Sequence, residues 1–424
     1  MKQKLFRIVA DLRFALINLL IISLCSVIGT IIEQDQPVEI YKKNYPLTNP
    51  IFHYLTWEKI LTFGLDHVYK TWWFLFLVIL FGVSLITCTY LQQFPSLNIA
   101  RRCQFFRNIK QFKSLSISTV LKNYTYPFVI RRVKTKNYSI FQQKNIFYCY
   151  KGLIGKLAPI VVHFSMILIL IGTLISAIYG FKAQETIPKT EIGYIQNIFS
   201  NGQLTRIPTF SIRVNDFWIT YNQQNNVSQF YSDLSILNNY GLELERQTSF
   251  VNSPLIFNKT YYYQTDWNLI GLRFENFQNQ KIEYPLIKPA MQTNNKIWLT
   301  WISSNETSGI IAILDNIQGY CSIYTEEGKF LGNLELHEKI NKIFSMKLLE
   351  ILSSTGLQIK NDPGIYIVYG ASFLFMVSIL ISYMTYSQLW ILSKNNKIFF
   401  GGNTSRASFD FELEFFEFIN QKID

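Results

Sequence analysis

Among the side chains that could do chemistry in this chain, His163 has the most demanding surroundings. It lies in residues 157–181, a run of 25 residues with no Asp, Glu, Lys or Arg and no second histidine. At 1.5 Å per residue such a run is long enough to cross a bilayer. An imidazole there is costly in lipid, so it is expected to face protein or a cofactor. Two chemistries fit the residue type. A neutral ring nitrogen can hold a metal or a haem iron. It can equally close an interhelical hydrogen bond or reach toward the near interface, because it lies six residues past Leu157, roughly 9 Å by helical rise. Pro159 precedes it by one turn on the same face and loosens the backbone ladder there. On another face Gly172, Ser176 and Gly180 recur every four residues, a small-residue spacing that lets a neighbouring helix approach closely.

The remaining candidates are sparse. His53 and His67 fall in the polar stretch 33–71. Loop histidines can ligate iron, and their plainer reading is as ordinary surface side chains. The five cysteines (Cys25, Cys88, Cys103, Cys149 and Cys321) include no CxxC pair. This excludes a thioredoxin-like motif, a cysteine zinc site and a disulfide framework. There is no CxxCH for covalent haem, and no phosphate-binding loop, GxSxG or HExxH motif. The residue types thus predict no catalytic group and no resident metal.

The elements that must position these residues follow from hydropathy and charge. With 49% hydrophobic and 16% charged residues over 424 positions, the chain is too apolar for a soluble protein and too polar to lie wholly in a membrane. Apolar runs predict transmembrane helices over 14–32, 72–91, 157–181 and 364–392. The first reads as a span and not a cleaved signal, being long and lacking an A-x-A-like site. Residues 1–13 form a basic start, and 33–71 a nearly neutral loop. Residues 92–156 carry thirteen basic side chains and no Asp or Glu. Flanking two spans, that charge reads as a cytoplasmic or stromal loop facing anionic lipid, not as a nucleic-acid patch. Residues 182–363 hold β-branched and aromatic stretches at 209–221, 259–274 and 309–324, which read as strands, with an amphipathic helix expected near 334–353. The tail 393–424 is mixed in charge. The fold class expected is an integral α-helical membrane protein with four spans. A large, mainly β exoplasmic soluble domain lies between the third and fourth. The N-terminus, basic loop and C-terminus share the opposite side.

Four segments carry a resemblance: LRFALINLLIISLCSVIGTIIEQDQ (12–36), GLDHVYKTWWFLFLVILFGVSLITCT (64–89), KGLIGKLAPIVVHFSM (151–166) and DPGIYIVYGASFLFMVSILISYMTYSQLW (362–390). In order and spacing they resemble the four membrane segments of the ResB/CcsB family of System II cytochrome c biogenesis, in its plastid and cyanobacterial branch. The resemblance implies a non-catalytic subunit that acts with a CcsA-type membrane protein to deliver haem and attach it to apocytochromes c on the lumenal side. Its targets would be cytochrome f and a soluble lumenal cytochrome c. It implies a plastid thylakoid membrane, or in a cyanobacterium the thylakoid or plasma membrane. The family's intramembrane histidine falls on His163, implying transient, non-covalent haem binding there. His53 and His67 are secondary haem candidates on the side of attachment. The family's aspartate before the fourth span falls on Asp362, which as a residue also reads as a helix cap. The partner's tryptophan-rich haem-handling motif does not occur here. The alternative function is a thiol or reductant relay that keeps apocytochrome cysteines reduced, for which only Cys321 lies on the exoplasmic side.

Overall fold

The computed structural model describes residues 2–47, 55–122, 126–223, 227–275, 279–289, 297–305, 308–314, 320–338, 346–394 and 397–420. The chain divides into two compact units, Met1–Leu174 with Gly364–Asp424, and Ile175–Pro363.

Among the described residues four helices are long and apolar enough to cross a membrane. The first is Leu12–Ile31, capped by Asp11, whose side chain accepts from the Arg13 backbone N–H. The second core run is Trp72–Cys88, the third Ile154–Tyr179 and the fourth Ile365–Ser382. Leu16, Leu20, Leu24 and Val27 stay exposed on the first helix, and Phe373, Met376 and Leu380 on the fourth. Helices apolar all round with such faces uncovered are built for lipid, not water. Polar side chains tie the first two helices and the N-terminal segment together. Asn18 Nδ2 donates to Leu77 O at 3.2 Å, Ser84 Oγ to Val9 O at 2.7 Å and Gln92 Nε2 to Ala10 O at 2.8 Å.

The fourth helix is shorter than the expected 364–392. It ends at Ser382, and the apolar run continues as the strand Ser387–Lys394. Leu389 and Ile391 enter one core and Trp390 and Leu392 another, on opposite faces of a sheet. A strand buried on both faces reads as a continuous apolar run, so hydropathy cannot separate it from the end of a helix.

That strand also revises the basic loop 92–156 and the tail 393–424, which together form one folded body. Its antiparallel sheet has the order Ile117–Lys122, Lys397–Thr404, Ser387–Lys394, Ile146–Lys151, Ser139–Gln143. The helices Tyr126–Thr135 and Ser408–Asn420 cover one face, with Val129, Val133, Phe400, Phe411, Phe415 and Phe418 in the core. The acidic aromatic tail is therefore an amphipathic helix. Its phenylalanines pack inward, while Glu414 meets Lys151 at 3.1 Å and Glu417 meets Lys136 at 2.5 Å. On the other face Phe106 stacks on Trp390 at 4.6 Å, and the Trp390 indole donates to Gln104 O at 2.8 Å.

The second unit is built of antiparallel strands in three sheets. The largest centres on the long pair Thr260–Glu275 and Lys347–Asn361, flanked by Phe181–Pro188. A second has the order Ile192–Gly193, Ser211–Tyr221, Val227–Leu237, Glu243–Phe250, and a third runs Trp298–Asn305, Ser308–Leu314, Tyr320–Thr325, Phe330–Glu335. The strands expected from β-branched and aromatic residues are present. The helix expected near 334–353 is not: Phe330–Glu335 and Lys347–Asn361 are strands, and residues 339–345 lie outside the described residues. The register shift between Arg273 and Phe274 inserts one extra residue opposite them. Leu348 and Ile351 consequently share a core three residues apart, and a bulged strand imitates helical spacing.

Candidate functional site

The third helix begins at Ile154, earlier than hydropathy suggests, which carries His163 deeper: nine residues in, roughly 14 Å by helical rise. Its imidazole is half-buried, and Nδ1 lies 2.9 Å from Thr89 Oγ1. The second and third helices run antiparallel past each other here, since Thr89 meets His163 while a Cβ on Gly82 would touch Leu170 at 3.6 Å. Thr89 is the first residue of a π-type turn, Thr89–Gln93, in which the Phe94 N–H bonds back to Thr89 O. Among the described residues no group of three or more His, Cys, Asp or Glu could hold a metal ion, and Nε2 of His163 has no hydrogen-bond partner. The site is a lone neutral nitrogen donor in an apolar wall. A single nitrogen donor of this kind could hold a haem iron and does not fit a chelated ion.

The structure does not bring His67 to His163. His67 lies in the short 3-10 segment Leu65–Lys70, just before the second helix, whereas Thr89 follows that helix's end. Seventeen residues separate the two ends, roughly 25 Å by helical rise. His67 Nδ1 sits 2.9 Å from Asp66 Oδ2 and the ring is largely exposed. The segment is clamped by Gln34, whose Nε2 donates to Ile32 O and Leu65 O and whose Oε1 accepts from the Val68 N–H. His53 lies outside the described residues. Sequence reasoning passed over both Thr89 and Asn18. Asn18 was findable, as an amide in the middle of an apolar run, and it is buried with Oδ1 lacking a partner among the described residues. Thr89 was not, because a threonine at a helix end is common and its partner is 74 positions away.

Asp362 is not the cap of the fourth helix, whose N-cap is Gly364 with no side-chain bond. Its carboxylate accepts instead from Ser176 Oγ and pairs with Lys360 Nζ at 3.2 Å. Asp362 thus ties the turn that leads into the fourth helix to the end of the third. The small-residue face has a related use. A Cβ on Gly172 would lie 2.7 Å from Val368 Cγ2 and 3.2 Å from Gly364 O, so glycine there admits the fourth helix. Gly172→Leu is expected to destabilise the helix pair by about 1–3 kcal/mol, the usual cost of overpacking. Thermal aggregation in detergent would show this against Gly370→Leu, where a Cβ meets nothing within 4 Å. Equal midpoints for the two variants would refute the close approach.

The cysteines bear on the thiol-relay alternative. Cys321 is fully buried in the core with Trp298 and Ile323, and burial pushes its thiol up to about 12. Cys149 is likewise buried in the sheet core and pushed up to about 12. Thiol exchange requires an accessible thiolate, which neither site supplies near neutral pH. Cys103 is the exposed thiol, and it belongs to the basic segment.

These features define a polytopic membrane protein with one imidazole among its apolar helices and a β-rich unit in the same chain. The model of the ResB-like family matches residues 12–325 and 318–416, and the chain belongs to that family. It is 63% identical over 421 residues to the cytochrome c biogenesis protein Ccs1 of Phaeodactylum tricornutum, covering 99% of this chain and 100% of that one. It is 60% identical, with the same coverage, to Ccs1 of Thalassiosira pseudonana. To the cytochrome c biogenesis protein CcsB of Crocosphaera subtropica it is 40% identical, over 97% of this chain and 93% of the other.

Proposed function

We propose that this chain is a membrane assembly factor for c-type cytochromes. It acts with a CcsA-type membrane protein to deliver haem and attach it to apocytochromes on the lumenal side, cytochrome f and a soluble cytochrome c among them. The observation that carries this reading is the single imidazole held at Thr89 between apolar helices, in a chain whose full-length relatives bear the name cytochrome c biogenesis protein. Haem, when bound, supplies an iron that takes an imidazole nitrogen and vinyl groups to which cysteine thiols add. The chain's own residues hold and shield. His163 would offer a neutral nitrogen, and the apolar helices would keep water from it. In this reading the chain is a non-catalytic subunit of the haem-attachment complex. The plastid thylakoid membrane is the proposed location, with the cyanobacterial thylakoid or plasma membrane as the equivalent.

Sidedness follows from the same reasoning. Strands from residues 117–151 pair with strands from 387–404, which supports placing the basic segment and the C-terminus on one face of the membrane. Gln92 bonding to Ala10 adds the N-terminal segment. The third helix then leads residues 182–363 to the lumenal face. A membrane-impermeant maleimide on oriented vesicles should label Cys103 from one side, and Tyr240→Cys, in an exposed turn, from the other. Labelling of both from one side would refute the four-span arrangement. Purifying the chain with its partner and recording a haem absorption spectrum tests the haem reading directly, and absence of haem from the complex would count against it.

A further inference from the structure

We infer that Thr89 is a positioning residue that fixes the tautomer of His163 with the proton on Nδ1, leaving Nε2 as the atom that meets a haem iron; this rests on the haem reading above. The argument is one of proton counting. Thr89 Oγ1 lies 2.7 Å from Leu85 O and 2.9 Å from His163 Nδ1. A threonine hydroxyl has one proton and two lone pairs, and a carbonyl oxygen can only accept. The proton in the shorter contact therefore belongs to Thr89 and points at Leu85 O. A lone pair is left facing Nδ1, so Nδ1 must be the donor. A neutral imidazole protonated at Nδ1 carries its own lone pair on Nε2.

Two further observations single Thr89 out from the chain's other back-bonded hydroxyls. Ser23, Ser26, Thr30 and Thr87 also donate to a carbonyl one turn earlier, but none of them meets an imidazole. Thr89 alone among these opens a π-type turn, a rare widening of the helix that recurs at functional sites. Nε2, the nitrogen this assignment leaves basic, has no hydrogen-bond partner among the described residues. A second group that orients a ligating histidine through its other nitrogen is a recurring device, and its loss commonly weakens binding 10- to 100-fold, by about that range for metals.

The test separates the tautomer from the haem reading. The full chain, purified with its partner and labelled with 15N-histidine, gives imidazole nitrogen shifts that report which nitrogen is protonated. The His163 signals are assigned by their loss in His163→Phe. Wild type and Thr89→Ser should show the Nδ1–H form, and Thr89→Val, equal in shape but without the hydroxyl, should show a mixture or the Nε2–H form. An Nε2–H ring in wild type, or an unchanged ring in Thr89→Val, overturns the assignment. Haem retention is read separately from the absorption spectrum of the same complexes. Thr89→Val should lose about tenfold or more in haem affinity while Thr89→Ser keeps the wild-type spectrum. If the ring is Nδ1–H but neither His163→Phe nor Thr89→Val alters haem retention, the proton assignment stands. The haem reading fails, and with it Nε2 as ligand.

Discussion

His163→Phe is expected to yield a protein that inserts, accumulates and still binds its partner, while covalent haem on the target cytochromes falls about tenfold or more, as for loss of a group that holds or orients a metal. Two opposed effects decide this. The structural cost is small. The ring is half-buried, it contributes one hydrogen bond worth about 1 kcal/mol net, and Thr89 keeps its bond to Leu85 O when the histidine is gone. Phenylalanine is also cheaper than histidine in an apolar layer. The chemical cost is complete, because no phenylalanine atom can ligate iron. His67 is on the far end of the second helix. Holocytochrome is measured by haem stain and the parent protein by immunoblot from the same membranes. Normal holocytochrome in His163→Phe would remove both ligation and proton relay at this position.

Truncation after Lys394 is expected to be as damaging, although it leaves every apolar helix intact. It removes the strand Lys397–Thr404, which pairs in register with Ile117–Lys122 on one side and Ser387–Lys394 on the other. The sheet is split and two new edges are exposed. It also removes Phe400, Phe411, Phe415 and Phe418 from the core. Four buried phenylalanines at about 1.5–3 kcal/mol each amount to roughly 6–12 kcal/mol, comparable with the whole stability of a domain. Residues 92–156 should then be open to protease in vesicles exposing that face, and the protein should be depleted from membranes. Phe415→Ala, costing about 3–5 kcal/mol, gives the milder form of the same defect. A truncated chain that accumulates normally and supports cytochrome assembly would show that the sheet does not depend on the tail.

The sequence by itself determined what depends on local composition. Four apolar runs had to become helices in lipid, because an unbroken stretch of such length has no other solvent that satisfies it. The β-branched stretches within 182–363 had to become strands, and a histidine in an apolar run marked its own place. Tertiary structure decided what depends on pairing between distant residues. Residues 383–392 are apolar like the helix before them, and only a partner strand such as Ile146–Lys151 makes residues 387–394 a strand. The sheet that unites the basic segment with the tail joins residues more than 200 positions apart, and no window of sequence holds both. Leu348 and Ile351 keep helical spacing in a strand because a bulge opposite Arg273 and Phe274 shifts their register. The same holds at the site. Residue type marked His163 within its apolar run, but its hydroxyl partner Thr89 was brought to 2.9 Å only by the crossing of two helices. A hydrogen bond fixes a proton only when its partner is in place, and that partner was put there by packing.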